Sequence, residues 1–304
     1  MTRFLIPALL LLLPGPALAA RWSEPEITGL VTDRAIGEIS GLAAARNFPG
    51  HYWAINDSGS PAELHLLDGK GRRVASVPLR GADNIDWEDL ASFERDGKRW
   101  LLIADVGDNG GLRQQLQLIG LEEPTALDQP VDAGAVQAFR WPDGPRDCEA
   151  AAVDPVAGEV LLVSKKRVPA ELFRVPLGAR ADGQPHVAEL VGTLPHIEQP
   201  DAQDLVQTPL YGRYRAQVTA ADLSPNGRVL AVLNYRSVHF YVRARGGAWA
   251  PALAPDAPHQ HLVLPWLPQA EGLAFGAGGR EIVIGSEQLP SPFLRYRVVP
   301  SASP

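Results

Sequence analysis

The chain has 304 residues and a formal net charge of −7. An acidic chain argues against nucleic acid or an anionic membrane surface as a partner, because both call for a basic patch. Its single cysteine, Cys148, cannot form an intramolecular disulfide, so the packed core must supply the stability. The length suits one closed β architecture, and we predict a single domain over residues 21–304.

Residues 1–20 have the layout of a secretory signal peptide. One early base, Arg3, precedes an apolar stretch over residues 4–13 that is too short to span a membrane. The small residues of Ala17-Leu18-Ala19 then form a cleavage site, and no cysteine follows the apolar stretch as a lipoprotein anchor would require. We therefore predict a periplasmic or secreted mature chain without a transmembrane segment.

Five segments of the chain begin alike, each with a hydroxyl or carboxylate just before a run of small and apolar residues. They lie 48, 61, 70 and 52 residues apart, so the chain has an internal repeat with a loose period. Units that each contain several strands are typical of a β-propeller, in which every unit is one blade. The five positions, near which the blades start, are Ser40, Glu88, Glu149, Thr219 and Glu271.

The strands predicted within the repeats follow in chain order. The first repeat has four, in SGLAAA, HYWAIND, ELHLLD and RRVASVPL, and the second and third also have four. Residues 195–214 show no strand pattern and are predicted to form a long surface loop. The fourth repeat ends in HQHLVLPW. The fifth lacks an outer strand, which EPEITGLVTD near the mature N-terminus supplies. We predict an all-β, five-bladed propeller closed by this N-terminal strand, with six blades as the alternative if the loop contains strands.

The repeated polar position predicts a metal site on the propeller axis. Innermost strands line that axis, so one equivalent residue per blade forms a ring of oxygen atoms. Three ionised carboxylates in such a ring repel one another unless a cation lies among them, and calcium prefers hard oxygen ligands. The alternative is that a glutamate there bonds the backbone amides of the next blade. The predicted Ca²⁺ ligands are Ser40, Glu88, Glu149, Thr219 and Glu271.

The second strand of each repeat ends in a polar residue, 15 to 17 residues after the ring position. Adjacent strands of a blade are antiparallel, so the start of the first strand and the end of the second lie at the same rim. Acidic and basic groups on the wall of such a funnel can hold a phosphate, carboxylate or ester. The candidate ligand-binding or catalytic residues of this rim are Asp57, Asp105, Lys165, Lys166, Arg236 and Glu287.

Two further motifs contain potential metal ligands. DVGDN at 105–109 resembles a calcium loop but does not match the ligand spacing of an EF-hand and lacks its distant glutamate, and a tight turn formed by Asp and Asn side chains is the alternative. His259 and His261 form an H-x-H pair suited to a transition metal, with no third ligand in view. The chain has no G-x-S-x-G elbow, which argues against a serine nucleophile.

The repeat motifs resemble known propeller families. The segment EISGLA at 38–43, the repeated EAAAVD and AEGLAF elements, and LPQAEGLAFGAGGREIVIGSE followed by FLRYR are similar to the SdiA-regulated envelope propellers and the phytase-like esterase propellers. The order Ser, Glu, Glu, Ser/Thr, Glu also resembles the calcium-activated nucleotidases (apyrases), which implies an axial calcium. Thr219 replaces the expected serine. The rim differs from the apyrase pattern, with Asp57-Ser58 and Lys165-Lys166-Arg167 in place of an aspartate-arginine pair and paired arginines.

Two functions remain in view. The first is a calcium-binding propeller that binds a small anionic ligand or another envelope component at its channel mouth, as a monomer. The second is a calcium-dependent hydrolase of phosphate esters or anhydrides, or of carboxylic esters. In the hydrolase, Lys165, Lys166 or Arg236 would hold the negative charge, and Asp57, Asp105 or Glu287 would act as the base.

Overall fold

The computed structural model describes residues 21–299, which form five small sheets arranged in a ring. Each innermost strand contacts the innermost strand of the next blade, and that of the fifth blade contacts that of the first. The predicted all-β, five-bladed propeller is therefore confirmed, and the alternative of six blades is wrong. The signal peptide over residues 1–20 lies outside the described residues and stays a prediction. Within residues 21–299, no helix has the length and apolar character needed to cross a membrane.

The strands run from the axis outward in each blade. Two strands precede the first blade, β1 (Arg21–Trp22) and β2 (Glu26–Val31). Blade 1 contains β3 (Ile39–Ala44), β4 (Tyr52–Asn56), β5 (Glu63–Leu67) and β6 (Arg73–Arg80). Blade 2 contains β7 (Trp87–Arg95), β8 (Lys98–Asp105), β9 (Leu116–Glu122) and, after the short β10 (Val131–Asp132), β11 (Ala135–Arg140).

The remaining blades follow the same plan. Blade 3 contains β12 (Cys148–Asp154), β13 (Glu159–Ser164), β14 (Glu171–Pro176) and, after the short β15 (His186–Val187), β16 (Glu189–Thr193). Blade 4 contains β17 (Val218–Leu223), β18 (Val229–Asn234), β19 (Ser237–Val242) and β20 (His259–Val263). Blade 5 contains β21 (Gln269–Phe275), β22 (Glu281–Glu287) and β23 (Ser291–Val299).

The N-terminal strand closes the ring as predicted. β2 pairs antiparallel with β23, with Ile27 opposite Leu294, and so becomes the outer strand of blade 5. β1 pairs with the far end of β23, and Trp22 stacks on Phe240 of blade 4 at a ring-centroid distance of 5.0 Å. Joining the two ends of the described chain in one sheet covers the edge that β23 would otherwise expose.

Short parallel strands add contacts between the outer edges of the blades. β10 pairs with β6 of blade 1, and β15 pairs with β11 of blade 2. These two pairings were not predicted, because a two-residue strand leaves no periodic pattern in a sequence.

The hydrophobic core lies between the blades. Buried apolar side chains form five clusters, and each cluster joins two adjacent blades. Trp53 of blade 1 and Trp87 of blade 2, for example, are fully buried in one of them. A single blade has two apolar faces and no means to cover them, so the ring is the smallest unit that buries both.

The connection between blades 3 and 4 contains a helix that the sequence did not predict. Within residues 195–217, here called the insertion, α1 (Ala202–Gln207) is followed by a 3₁₀ turn over Gly212–Tyr214. Asp201 and Asp204 form a capping box, since Asp201 Oδ1 accepts from the Asp204 amide at 2.8 Å and Asp204 Oδ2 accepts from the Asp201 amide at 3.2 Å. The predicted absence of strands in this loop holds.

Candidate functional site

Each innermost strand contains a β-bulge at the predicted ring position. In blade 1, for example, the pairing with β4 passes from Ile39 directly to Gly41 and skips the residue between them, and the other four blades repeat this irregularity. A bulge inserts one unpaired residue and changes the direction of its side chain. The bulged residues are at most 7% exposed and are Ser40, Glu88, Glu149, Thr219 and Glu271.

The strand register divides the predicted rim residues into two tiers. The lower tier consists of the second-strand residues that pair with the residue just before each bulge, namely Asn56, Asp105, Ser164, Asn234 and Ser286. The residue after each of these forms the upper tier, next to the ring, and this tier is Asp57, Val106, Lys165, Tyr235 and Glu287. The predicted set mixes the tiers, because spacing alone cannot resolve a shift of one residue. Asp105 is consequently buried against Arg113, at 2.8 Å, and Tyr235 takes a place at the ring.

Three carboxylates converge on one side of the ring. Asp57, Asp86 and Glu88 each offer an oxygen atom, and these atoms lie within 4.8 Å of one another. Asp86, which the sequence analysis did not include, directly precedes β7. The backbone at Gly107 lies so close that a Cβ atom there would collide with the Glu88 and Asp86 carboxylates. A side chain at position 107 would therefore force both carboxylates to move from these positions.

The crowding of acidic groups changes their protonation. Burial raises the pKa of Glu88 well above its usual range, and the charges of Asp57 and Asp86 raise it further while Lys165 opposes them. Burial likewise raises the pKa of Asp57 to about 6. Burial, followed by the charge of Glu271, raises the pKa of Glu287 to about 9. All three shifts mean that the folded protein disfavours the ionised carboxylates unless positive charge is added.

The other ring residues have partners within the protein. Glu149 forms an ion pair with Lys165, and Glu271 accepts a hydrogen bond of 2.5 Å from the Tyr235 hydroxyl. Thr219 Oγ1 donates to the Ala270 carbonyl at 2.6 Å. The five predicted metal ligands are thus brought to equivalent positions, but their oxygen atoms are not equally available.

The residues near Glu88 fit a hard divalent cation. The mutually interacting side chains at this mouth include the carboxyl groups of Asp57, Asp86, Glu88, Glu149, Glu271 and Glu287, against the ammonium group of Lys165. The Ser40 hydroxyl oxygen is also buried without a hydrogen-bond partner among the described residues. Excess carboxylate charge and an unpaired hydroxyl oxygen are suitable donors for Ca²⁺.

Hydrogen bonding to backbone amides of the next blade, considered above for a ring glutamate, is carried out by Asp89, the residue after Glu88. Asp89, fully buried, accepts hydrogen bonds from the amides of Leu90, Ala151 and Ala221 at 2.8, 2.8 and 2.9 Å, and so ties blade 2 to blades 3 and 4. Asp222 in blade 4 similarly accepts from the Phe275 amide of blade 5 at 2.7 Å. The Glu88 carboxylate is therefore not required for this backbone contact.

A cavity of about 420 Å³ opens beside the ring, between the insertion and residues 264–269. Three residues that line the cavity also contact ring residues. Lys165 pairs with Glu149, and Tyr235 and Gln269 contact Glu271. Its lining also includes three aromatic side chains and two further cationic ones, which are Tyr211, Tyr214, Trp266, Lys166 and Arg215. Trp266 is 76% exposed.

Two other predicted rim residues bind acidic neighbours. Lys166, at the cavity, contacts Asp147 Oδ2 and Asn109 Oδ1, both at 2.8 Å. Arg236 is not among the residues that line the cavity and donates to Asp204 of the insertion at 3.3 Å. The structure thus places Lys165 and Lys166 at the cavity, whereas Arg236 anchors the insertion.

The DVGDN motif forms the turn considered as its alternative. Asp108 accepts from the amides of Leu112 and Arg113 at 2.7 and 3.1 Å, and its own amide donates to Asp147. An aspartate that bonds backbone amides further along the chain is a common turn device. The motif therefore shapes the rim beside Lys166.

Comparisons with known proteins identify no family for this chain. No family model matches the chain, and no curated protein matches it. Among solved structures, the chain is similar to Kuenenia stuttgartiensis hydrazine synthase, with a TM-score of 0.42, 9% sequence identity, and coverage of 82% of this chain and 68% of that chain.

Proposed function

We propose that this protein is a secreted or periplasmic calcium-binding β-propeller that binds a small anionic ligand in the cavity at its channel mouth. The observation that carries the proposal is the excess of carboxylate over ammonium groups at the ring, directly beside a cavity that shares Lys165, Tyr235 and Gln269 with it. The N-terminal sequence supports export.

The calcium ion would be held on the Glu88 side of the ring. Asp57, Asp86 and Glu88 are the closest set of carboxylates, and Ser40 adds an unpaired hydroxyl oxygen in the adjacent blade. When bound, Ca²⁺ supplies positive charge and open coordination positions for the oxygen atoms of a ligand. The resemblance to the apyrase propellers, which implies an axial calcium held by Ser40, Glu88, Glu149, Thr219 and Glu271, supports calcium as the ion.

The cavity suits a ligand with an anionic group and an apolar or planar body. Lys165 and Lys166 contribute cationic side chains to its lining, and aromatic side chains on the insertion and at Trp266 contribute to its wall. Its volume of about 420 Å³ falls within the range of small-molecule sites. Ammonium groups attract the anion, and the aromatic walls contribute contact area.

Calorimetric titration of metal-stripped protein with Ca²⁺ tests the ion. We expect saturable binding that weakens at least tenfold in Glu88→Gln and in Asp57→Asn, because each removes a ligand oxygen's charge. Glu122→Gln is the matched control, since Glu122 is an exposed partner of Lys98 on the outside of blade 2. Calcium binding that is absent in the wild type, or equal in all four proteins, would exclude this site.

A calcium-dependent hydrolase is the second candidate. It is favoured by the carboxyl group of Glu287, which accepts a hydrogen bond of 2.8 Å from Gln269 of the cavity lining and whose pKa burial raises to about 9, so that it can give up a proton beside the lysine-lined cavity. The assay is turnover of nucleotides, phytate, aryl phosphates and aryl esters by metal-stripped protein with and without Ca²⁺. Calcium-dependent turnover that falls at least a hundredfold in Glu287→Gln, with the fold and calcium binding intact, would establish a hydrolase. Calcium binding without turnover would favour the binding protein.

A further inference from the structure

Four of the seven histidines of this chain meet on blade 4, away from the carboxylate ring. His259 and His261 lie on one face of β20, because side chains two residues apart in a strand share a face. His261 pairs directly with His239 of β19, so all three imidazoles lie on the same side of the sheet. His196, at the start of the insertion, stacks on His259 with a ring-centroid distance of 4.5 Å.

The ring centroids of the three strand histidines are spaced like those of imidazoles bound to one metal ion, whereas the described residues contain no nitrogens from three different histidines that all lie within 4.8 Å of one another. The ring centroids of His239, His259 and His261 form a triangle with sides of 5.3, 5.7 and 6.0 Å. Two imidazoles bound to one Zn²⁺ at about 2.0–2.1 Å have centroids about 5 Å apart at the tetrahedral angle. The rings lie 23° to 30° from parallel. Convergence of their nitrogens therefore needs a turn about the Cβ–Cγ bonds, which are soft torsions.

Two ring nitrogens already converge. His239 Nδ1 and His259 Nε2 lie 3.1 Å apart. His239 Nε2 lies 2.8 Å from the Ser237 hydroxyl oxygen. In the tautomer with its proton on Nε2, His239 donates to that oxygen, and its Nδ1 lone pair faces His259. A second hydrogen bond of this kind is the usual means of orienting a metal-binding histidine.

The cluster is accessible from solvent. His196 and His261 are exposed, so an ion can enter from solvent.

We propose that His239, His259 and His261 bind one transition-metal ion of the Zn²⁺, Cu²⁺ or Ni²⁺ class, with His196 beside the remaining coordination position. Imidazole nitrogen suits these metals, whereas the carboxylate ring suits Ca²⁺, so the two sites select different ions. The transition metal would also join the root of the insertion to blade 4, because His196 is the second residue of the insertion.

Cobalt spectroscopy tests the site independently of the calcium site. Tag-free, metal-stripped protein is titrated with Co²⁺ in excess Ca²⁺, and the visible absorption of a low-coordinate cobalt complex is followed. We expect one equivalent of Co²⁺ to bind, Zn²⁺ to displace it, and the melting temperature to rise with Zn²⁺. Absence of cobalt absorption together with absence of a zinc effect on melting would overturn the proposal.

Matched variants locate the site. His261→Ala and His259→Ala should each weaken Zn²⁺ binding at least tenfold, and the exposure of His261 makes loss of folding in the first variant unexpected. His186→Ala should leave binding unchanged, because His186 lies in β15 at the outer edge of blade 2, where its Nε2 is 2.9 Å from the Gly178 carbonyl oxygen. Glu88→Gln should also leave it unchanged, which separates this site from the proposed function. Equal zinc affinity in wild type, His259→Ala and His261→Ala would refute the assignment.

Discussion

Replacing Glu88 with glutamine should have effects of opposite sign without and with calcium. In metal-stripped protein, an ionised Glu88 lies within 4.8 Å of the carboxylate oxygens of Asp57 and Asp86. Two like charges at that distance repel by about 3.5 kcal/mol at an effective dielectric constant of about 20. The pKa of Glu88 is raised by burial and then by the charges of Asp57 and Asp86, which is the direction that this repulsion produces. Glutamine removes it, so we expect Glu88→Gln to stabilise the metal-free protein by about 1–3 kcal/mol.

Calcium should reverse this order. An ion that binds only the folded state adds about 2.7 kcal/mol at a free concentration one hundred times its dissociation constant. Wild type gains this stabilisation, whereas Glu88→Gln loses a ligand charge and gains little. For a domain of this size, 1 kcal/mol shifts the melting temperature by about 2–4 °C. The two melting temperatures should therefore cross as calcium is added.

Differential scanning calorimetry in EDTA and in millimolar CaCl₂ measures both signs. Glu122→Gln, on the outer face of blade 2, controls for the loss of one negative charge from the whole protein. If Glu88→Gln melts below wild type in EDTA and responds equally to calcium, then Glu88 is a structural hydrogen-bonding group, and the electrostatic reasoning fails.

Three further predictions concern other buried polar groups. Asp89→Asn should lower the free energy of unfolding by about 2–4 kcal/mol in urea titrations, because the asparagine side chain has one acceptor oxygen fewer and leaves a buried backbone N–H unsatisfied. A urea midpoint equal to that of the exposed control Asp128→Asn would contradict this. Burial lowers the pKa of His65 to about 4, so its contribution to stability is complete above about pH 6.5 and is lost as the pH falls towards 4. Between pH 6.5 and pH 4, the free energy of unfolding of His65→Gln should therefore rise by about 3 kcal/mol relative to that of the wild type. Parallel plots of the free energy of unfolding against pH for the two proteins would exclude this. Lys165→Met should strengthen calcium binding about 3- to 10-fold, because it frees the Glu149 carboxylate, and it should weaken anion binding because it removes an ammonium group. Calcium binding that is weaker than that of the wild type in calorimetry would contradict this prediction.

The propeller itself was predictable from local patterns. A polar residue before a run of small apolar residues recurs at each innermost strand, because every blade must pack the same narrow strand around the axis. Turn residues separated the strands, and the missing outer strand of the fifth repeat pointed to the segment at Glu26–Val31. The helix in the insertion escaped prediction because it spans only six residues.

The site depended on long-range register. Side chains alternate with a period of two, so a shift of one residue decides that Asp105 is buried against Arg113 and that Tyr235 reaches the ring. No spacing rule resolves such a shift. Asp86 joined Asp57 and Glu88 across two blades, and the third histidine for the H-x-H pair came from a neighbouring strand. The sequence by itself determined the repeated unit and hence the propeller, since that pattern is local. The tertiary structure alone decided which charges and lone pairs meet, because such contacts join residues far apart in the chain.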